Sequence, residues 1–437
     1  MSINVRRSLK LAGSFARGCS RQQNLRPLST LPEKGLVGAT TQPQSLAQVI
    51  DDSIKATGPM SVARYMQLCL THPNWGYYSQ GDVFGREGDF ITSPEISQVF
   101  GELVAIWLLT RWMAAGAPER VRLLELGPGR GTLMDDVLRT FQALAKFKID
   151  SVTLVEYSEK MRGIQQEKLG PRCEALGAKL VFEEEIAGVK ESPLFTMFIA
   201  HEFFDAMPVH VFQRDEAGFR EVRVDRNPSY LPAANNPRFR LGVDRESSLL
   251  ASLLPASSAR FGRLPIGARV EICPDSSRIM RSVGEAMAEG GGAGLVIDYG
   301  SDRSFSNSVR GFRKHKVVDL FEEPGTADLT ANVDFAYLKE SLDGVAETAG
   351  PITQAKFLLS LGLEPRLAKL ISSAADPTQR KRIEDGAKRL IDKTGMGTQY
   401  QVMAVVKGPA GEDDVYPFGK PSKDVPEAPK LEEKSKS

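Results

Sequence analysis

Two groups of residues in this chain have the types and spacing to do chemistry. The first is the run LLELGPGRGT, in which Glu125 precedes Gly127, Gly129 and Gly131. Glycine at every second position after an apolar run lets the backbone bend into a helix and approach a ligand with no Cβ in the way. The dinucleotide fingerprint requires G-x-G-x-x-G, whereas the spacing here is G-x-G-x-G. A carboxylate at Glu125 would repel a pyrophosphate and attract a cation. The second group is IAHEFFDAMPV, which holds Glu202 and Asp205, close enough in sequence to share a face if a strand turns there directly into a helix.

S-adenosylmethionine meets the demands of the first group. It has no phosphate, carries a sulfonium and an ammonium, and offers a ribose with two hydroxyls. The ribose asks for an acid at the end of the second strand, where both hydroxyls can donate to it, and Glu156 in TLVEYSE takes that place. After the third strand, Glu184 or its neighbour Glu183 is set to meet the adenine amino group. The bland alternative for the whole set is a glycine-rich turn that only packs helix on strand. For the second group, two carboxylates beside a sulfonium predict a cationic acceptor, and a guanidinium fits best because its fork pairs bidentately. Cofactor and acceptor are both positive, so fixed negative charge is needed to bring them together. The competing reading is structural, with Asp205 capping a helix and Glu202 solvated. The Asn/Asp-Pro-Pro-aromatic turn expected of a nucleic-acid adenine methyltransferase is absent.

These residues must be positioned by a framework, and its order is legible. VRLLELG, SVTLVEY, KLVFEE and LFTMFIAHEF read as strands, separated by helical or polar segments such as TLMDDVLRTFQALAKF, where Leu133, Val137, Phe141 and Leu144 recur at helix spacing. That alternation predicts the α/β class, a parallel, doubly wound, Rossmann-like sheet. Between residues 209 and 269 the alternation breaks, with HVFQRDEAGFREVRV resembling a hairpin. It resumes with a helix and the strand GLVIDYG. A loop-rich and then mostly helical stretch, 300–393, precedes a last strand, TQYQVMAVVK. One sheet with two insertions accounts for this better than two domains. Ahead of the first strand, Thr92, Ser93 and Glu95 in GDFITSPEIS suggest a segment folded over the cofactor, and they also suit a helix N-terminus with Ser93 capping and Pro94 first in the helix. In PGTADLTANVDF, Asp334 reads as the cap of a helix from Phe335, while Asp328 and Thr330 stay open between cleft and cap.

Composition sets the limits. The 437 residues are 41% hydrophobic and 25% charged with a net charge of +1, which gives no general attraction to nucleic acid or anionic lipid. The four cysteines show no CxxC pair, so neither a metal site nor a disulfide framework is expected. No apolar stretch reaches the roughly 18 residues of a spanning helix. Residues 1–33 differ: Arg6, Arg7, Lys10, Arg17, Arg21 and Arg26 precede the first acid, Glu33, as in a mitochondrial presequence. Residues 408–437, rich in Pro, Lys, Glu and Ser, read as a disordered tail.

With these residues in hand, the chain resembles the MidA-like methyltransferases, whose mitochondrial members are protein arginine methyltransferases acting as complex I assembly factors. The resemblance spans about residues 46–407. It rests on GREGDFITSPEISQVFGELVA, LELGPGRGTL, AHEFFDAMPV, LVIDYG followed by RGFRKHKV, and PGTADLTANVDF. It implies a class I methyltransferase sheet with a helical N-terminal segment and S-adenosyl-L-methionine as cofactor. It further implies methyl transfer to arginine on a protein substrate, a complex I subunit, in the mitochondrion and there in the matrix. Many relatives carry Asn where this chain has His201, so the imidazole is not expected to be a shared catalytic base. Two other readings compete: a nucleotide-cofactor oxidoreductase, disfavoured by the glycine spacing and Glu125, and a non-catalytic assembly chaperone that keeps the fold and holds a client with its insertions.

Overall fold

The computed structural model of the chain describes residues 43–79, 92–231, 236–314, 316–411 and 414–419. The expected presequence, residues 80–91, which include the first four of the GDFITSPEIS block (88–91), and residues 412–413 and 420–437 of the expected tail lie outside the described residues.

Each strand expected from the apolar runs forms. They are β1 (Arg120–Leu126), β2 (Lys148–Val155), β3 (Lys179–Glu183), β4 (Phe195–His201), β5 (Gly292–Ser301) and, after an unexpected strand β6 (Glu347–Thr353), β7 (Tyr400–Lys407). They assemble in the order β6-β7-β5-β4-β1-β2-β3. Pairing is parallel from β5 to β3, whereas β7 runs antiparallel to both β5 and β6. β4 is buried along its whole length, as a central strand covered on both faces must be.

The helices that matter for the site are α1 (Leu46–Thr57), α2 (Val62–Thr71), α3 (Gln98–Ala114), α4 (Thr132–Leu144), α5 (Glu159–Ala175), α6 (Pro274–Ala286) and α7 (Phe335–Ser341). Ser45, Ser61, Ser97 and Ser158 cap α1, α2, α3 and α5 by accepting from first-turn amides. One sheet face, through Val121, Leu123, Met197 and Ile199, packs on Phe100, Leu103 and Trp107 of α3 and on Leu133 and Val137 of α4. The opposite face, through Leu124, Leu126, Phe198 and Val296, packs on Met280 and Val283 of α6 and Phe335 of α7. Among the described residues, no helix is long and apolar enough to cross a membrane.

The first insertion contains the expected hairpin, His210–Asp215 with Gly218–Arg226. It extends into a separate antiparallel sheet that also takes in Phe239–Val243, Arg269–Ile272 and, from far earlier in the chain, Met60–Ser61. Ile50, Tyr65 and Met66 of α1 and α2 bury Val222, Val224 and Phe239 of that sheet. Asp51 on α1 binds Arg226 and Arg238 at 2.7 and 2.8 Å. Although burial opposes it, the carboxyl is drawn down to about 2 by its bonds to Lys55, Arg238 and Arg226. The N-terminal helices are thus a lid on the insertion rather than a free-standing segment.

Two expectations are corrected. The second insertion is not one piece, because β6 lies inside the stretch 300–393 and forms the edge of the main sheet against β7. The tail is not unstructured from residue 408. Val415 is buried, Trp107 Nε1 donates to Tyr416 O at 3.1 Å, and the Phe418 ring lies 5.9 Å from that of Trp107 and 5.8 Å from that of Phe357. A few apolar residues suffice when they fill a groove on α3. Truncation after Lys407 should therefore cost about 2 kcal/mol of unfolding free energy. Equal denaturant midpoints for truncated and full chains would show that the segment contributes nothing.

Candidate functional site

Strand register decides what meets at the carboxyl edge of the sheet. Leu126 lies opposite Ala200 on one side and Val155 on the other, and Ile297 lies opposite His201. The residues that follow, Gly127, Glu156, Glu202 and Asp298, are therefore brought to one edge. β1 is flanked by β2 and β4, where chain direction along the sheet reverses, and such switch points open the crevice in which α/β proteins hold ligands.

All three glycines of the turn have positive φ, at 60, 52 and 76° for Gly127, Gly129 and Gly131. Their surroundings differ. A Cβ at Gly127 would stand 2.7 Å from the Phe203 ring, and one at Gly131 would stand 3.1 Å from Leu169. Those two glycines permit close packing, so the packing role considered from the sequence is real for them. A Cβ at Gly129 would meet nothing, which makes it the glycine that faces open space. Gly127 N–H donates to Val155 O and Gly131 N–H to Pro128 O, at 3.0 and 2.8 Å, and α4 then starts without a side-chain cap.

Polar groups around this turn are buried and only partly satisfied. Glu125 is 2% exposed; burial pushes its carboxyl up to about 8, and its Oε2 has no partner among the described residues. Glu156 follows β2 as expected, its Oε1 accepting from Ser158 N–H at 2.8 Å and its Oε2 from Gln165 Nε2 at 3.2 Å, with its pKa raised by burial. Gln165, which the sequence did not reveal, also donates to Gly129 O at 2.7 Å and so ties the glycine turn to Glu156. Its Oε1 is buried without a partner among the described residues. Glu184 is not brought into this group: its side chain is 64% exposed and accepts from Arg162 at 3.2 Å.

On the other side of the turn stands the end of β4. Glu202 has φ +49°, a strained value for a non-glycine residue. Asp298 stabilises the bend, its Oδ2 accepting from the N–H groups of Phe203, Phe204 and Asp205 at 3.2, 3.0 and 3.3 Å. Sequence reasoning missed Asp298, although an acid inside the apolar run GLVIDYG was the available signal. Its carboxyl is pushed well above the usual carboxylate range by burial and by the charges of Asp205 and Glu202.

Burial, and then the charge of Asp205, push Glu202 up to about 8; the Tyr400 hydroxyl and the Ser93 backbone N–H oppose this in part. Burial also raises Asp205, to about 6, against the Tyr299 hydroxyl, the Ala206 N–H and the charge of Arg310. The reading of Glu202 as solvated is therefore excluded. His201 Nε2 lies 3.3 Å from Glu202 Oε1, but the geometry is not that of a hydrogen bond, and both atoms lack partners among the described residues. Burial drives the imidazole down to about 3, so it is neutral and packs edge-on to Phe100.

The segment ahead of the first strand reaches the same place. Thr92, not Ser93, occupies the N-cap position, with Ser93 and Pro94 opening a short helix, Ser93–Ile96. Ser93 is wholly buried and its hydroxyl donates to Gln354 Oε1 at 3.3 Å, while Glu95 Oε1 accepts from Thr132 Oγ1 at 2.7 Å at the start of α4. Asp334 caps α7 as expected, accepting from Tyr337 N–H at 3.0 Å. Among the described residues no cluster could hold a metal ion.

The buried oxygens of Glu125 and Gln165, unpaired among the described residues, and the open space before Gly129 fit a ligand that brings donors and positive charge. Comparison with known proteins points to a ligand of that kind. Residues 103–352 match a family model described as "Putative S-adenosyl-L-methionine-dependent methyltransferase". A Danio rerio protein named protein arginine methyltransferase NDUFAF7, mitochondrial, is 39% identical over 383 residues, covering 83% of this chain and 87% of the relative. The Homo sapiens protein of the same name is 39% identical over 370 residues, covering 81% of each chain. A crystal structure from Burkholderia thailandensis bound to S-adenosyl-homocysteine superimposes with a TM-score of 0.69 at 26% identity, covering 86% of this chain and 95% of the other.

Two substitutions test the cradle. Gly129→Val places a side chain in the open space at positive φ and should abolish measurable S-adenosylmethionine binding in calorimetry. Gln165→Ala frees Glu156 and the Gly129 carbonyl and should weaken binding about tenfold, about 1.4 kcal/mol. Parental affinity in both variants would place the cofactor elsewhere.

Proposed function

The chain belongs to the S-adenosyl-L-methionine-dependent methyltransferase family, and we propose that it is a mitochondrial protein arginine N-methyltransferase. We propose further that it works in the matrix on a subunit of respiratory complex I and supports assembly of that complex. The observation that carries the arginine assignment is the pair Glu202 and Asp205 in the bend that follows β4, Asp205 buried and the Glu202 side chain 11% exposed, with the Phe203 ring between them in sequence packed on Gly127 of the glycine turn. The relatives named above as protein arginine methyltransferases support it. Their names support the mitochondrial location, and so does the basic, acid-free composition of residues 1–32.

Bound S-adenosylmethionine supplies an electrophilic methyl group on a positively charged sulfur. Glu156 is placed to accept from the ribose hydroxyls, and Glu125 to answer the positive charge with a carboxyl that can release its proton. Glu202 and Asp205 attract a guanidinium that water would otherwise keep solvated, and their bidentate pairing fixes which nitrogen points at the turn. A carboxylate pair in a dry site offsets the repulsion between two cations far better than it would in water. The substituted nitrogen sheds a proton, and Glu202, which holds its own proton up to about pH 8 in the free protein, has the basicity to take it. Neutral His201 adds no charge and packs behind the pair.

Glu202→Gln and Asp205→Asn should each lower methyl transfer at least a hundredfold, about 2.7 kcal/mol, with cofactor affinity within about threefold of the parent. Because both carboxyls bind the acceptor only when ionised and both are raised, kcat/KM should climb as pH rises from 6 towards 8.5. Glu202→Gln should flatten the upper part of that climb. Mass spectrometry of mitochondrial protein with and without this chain should show methylarginine lost from one complex I subunit. Modification of lysine instead would contradict the reading of the acid pair. Rescue of complex I assembly by Gly129→Val would contradict a catalytic role in assembly.

A further inference from the structure

We propose that Asp328 and Thr330, backed by Tyr78, form a second wall of the acceptor site that distinguishes a guanidinium from an ammonium. This rests on the arginine reading above. The strand Asp328–Thr330 belongs to a small sheet in the second insertion, paired antiparallel with Arg310–Arg313 so that Asp328 faces Phe312 and Thr330 faces Arg310. Residues two apart on a strand share a face, which puts Asp328 and Thr330 side by side. The next residue docks that strand on the acid turn: Ala331 N–H donates to Asp205 O at 2.9 Å.

The side chains agree with the backbone. Asp328 Oδ1 accepts from the Tyr78 hydroxyl at 3.0 Å; Asp328 is buried and Tyr78 partly so. The Tyr78 phenol is raised well above its ordinary range by burial and by the charges of Asp328 and Asp205, so both acids are within electrostatic reach of it. Asp328 also lies within electrostatic reach of Glu202. Thr330 is 1% exposed, and its hydroxyl has no hydrogen-bond partner among the described residues; Glu202 Oε1 on the facing element is in the same condition. Buried polar atoms left without partners are rare enough to mark a place where a ligand group completes the network.

The resident cation does not complete it. Arg310 gives its Nη1 hydrogen bonds to Ser308 O and Asn332 Oδ1, at 3.0 and 2.8 Å, and its guanidinium lies over the Tyr299 and Phe312 rings. An ammonium presents its donors from a single point, and Glu202 with Asp205 could satisfy it alone. A guanidinium spreads five N–H donors over a planar fork, and acceptors on two separate elements match that spread. The second insertion therefore adds to the preference for a guanidinium that the acid pair after β4 begins.

The test is a binding titration of the full chain, saturated with S-adenosylhomocysteine, against N-acetyl-L-arginine amide and N-acetyl-L-lysine amide by ligand-observed magnetic resonance. The parent should bind the arginine probe at least tenfold more tightly. Asp328→Asn and the isosteric Thr330→Val should each weaken the arginine probe about tenfold, leave the lysine probe unchanged, and keep S-adenosylhomocysteine affinity within twofold. Parental discrimination retained in Thr330→Val and in a cofactor-binding Asp328→Asn would overturn this inference and leave the arginine reading intact. A parent that binds S-adenosylhomocysteine but shows no preference for the arginine probe would overturn the arginine reading itself.

Discussion

The constraint on which the rest depends is that Glu202, Asp205 and Asp298 lie within one another's field in a nearly dry space after β4 and β5, while Glu125 is buried near the end of β1. Carboxylates so placed cannot all be ionised, because each charge loses its hydration and repels the next. The fold answers in two ways. Asp298 is surrounded by donors, three successive N–H groups on one oxygen and Tyr299 N–H on the other, and so shapes the bend at Glu202. Glu125 and Glu202 keep their protons to about pH 8, and Asp298, for all its donors, is also held well above the ordinary carboxylate range by burial and by the charges of Asp205 and Glu202. The sign of the linkage follows: the folded chain holds protons that the unfolded chain releases above the ordinary carboxylate range. This contribution to stability is full below that range and is lost as pH rises through about 8. A free protein built this way is poised to accept cations.

That economy gives the insertions a purpose. The strand of the second insertion reaches Asp205 through Ala331 N–H, and the segment ahead of the sheet reaches α4 through Glu95 and Thr132. The first insertion covers the N-terminal helices instead, and Asp51 fastens them to it. Around an ordinary α/β sheet, the added elements enclose one edge, and enclosure lowers the dielectric on which the acid pair relies.

The sheet was legible in the sequence because its central strands are continuous apolar runs and its helices carry clear apolar periodicity. β6 was not, because ETAGPIT breaks the pattern with Gly350 and Pro351, where the pairing with β7 shifts register. Proline is tolerated in a sheet only at such an edge. The docked residues 414–419 were missed since a segment that short has no period to read. Of the site, the glycines, Glu156 and the acid pair were visible because their chemistry is local to a turn or a strand end. Gln165 was invisible, since a glutamine on a polar helix means nothing until the fold lays it between Gly129 O and Glu156. Ser93 was placed in the right neighbourhood with the wrong cap, because Thr92 and Ser93 are both competent caps and only the backbone chooses between them.

The central claim is that buried neutral carboxyls discharge their protons to meet a positively charged sulfur. Calorimetry at pH 7 in buffers of different ionisation enthalpy measures this directly, as the number of protons released on binding. S-adenosylmethionine should release more protons than S-adenosylhomocysteine, which lacks the sulfonium charge, and the difference should shrink in Glu125→Gln. Equal release by the two ligands, or proton uptake with S-adenosylmethionine, would contradict the account.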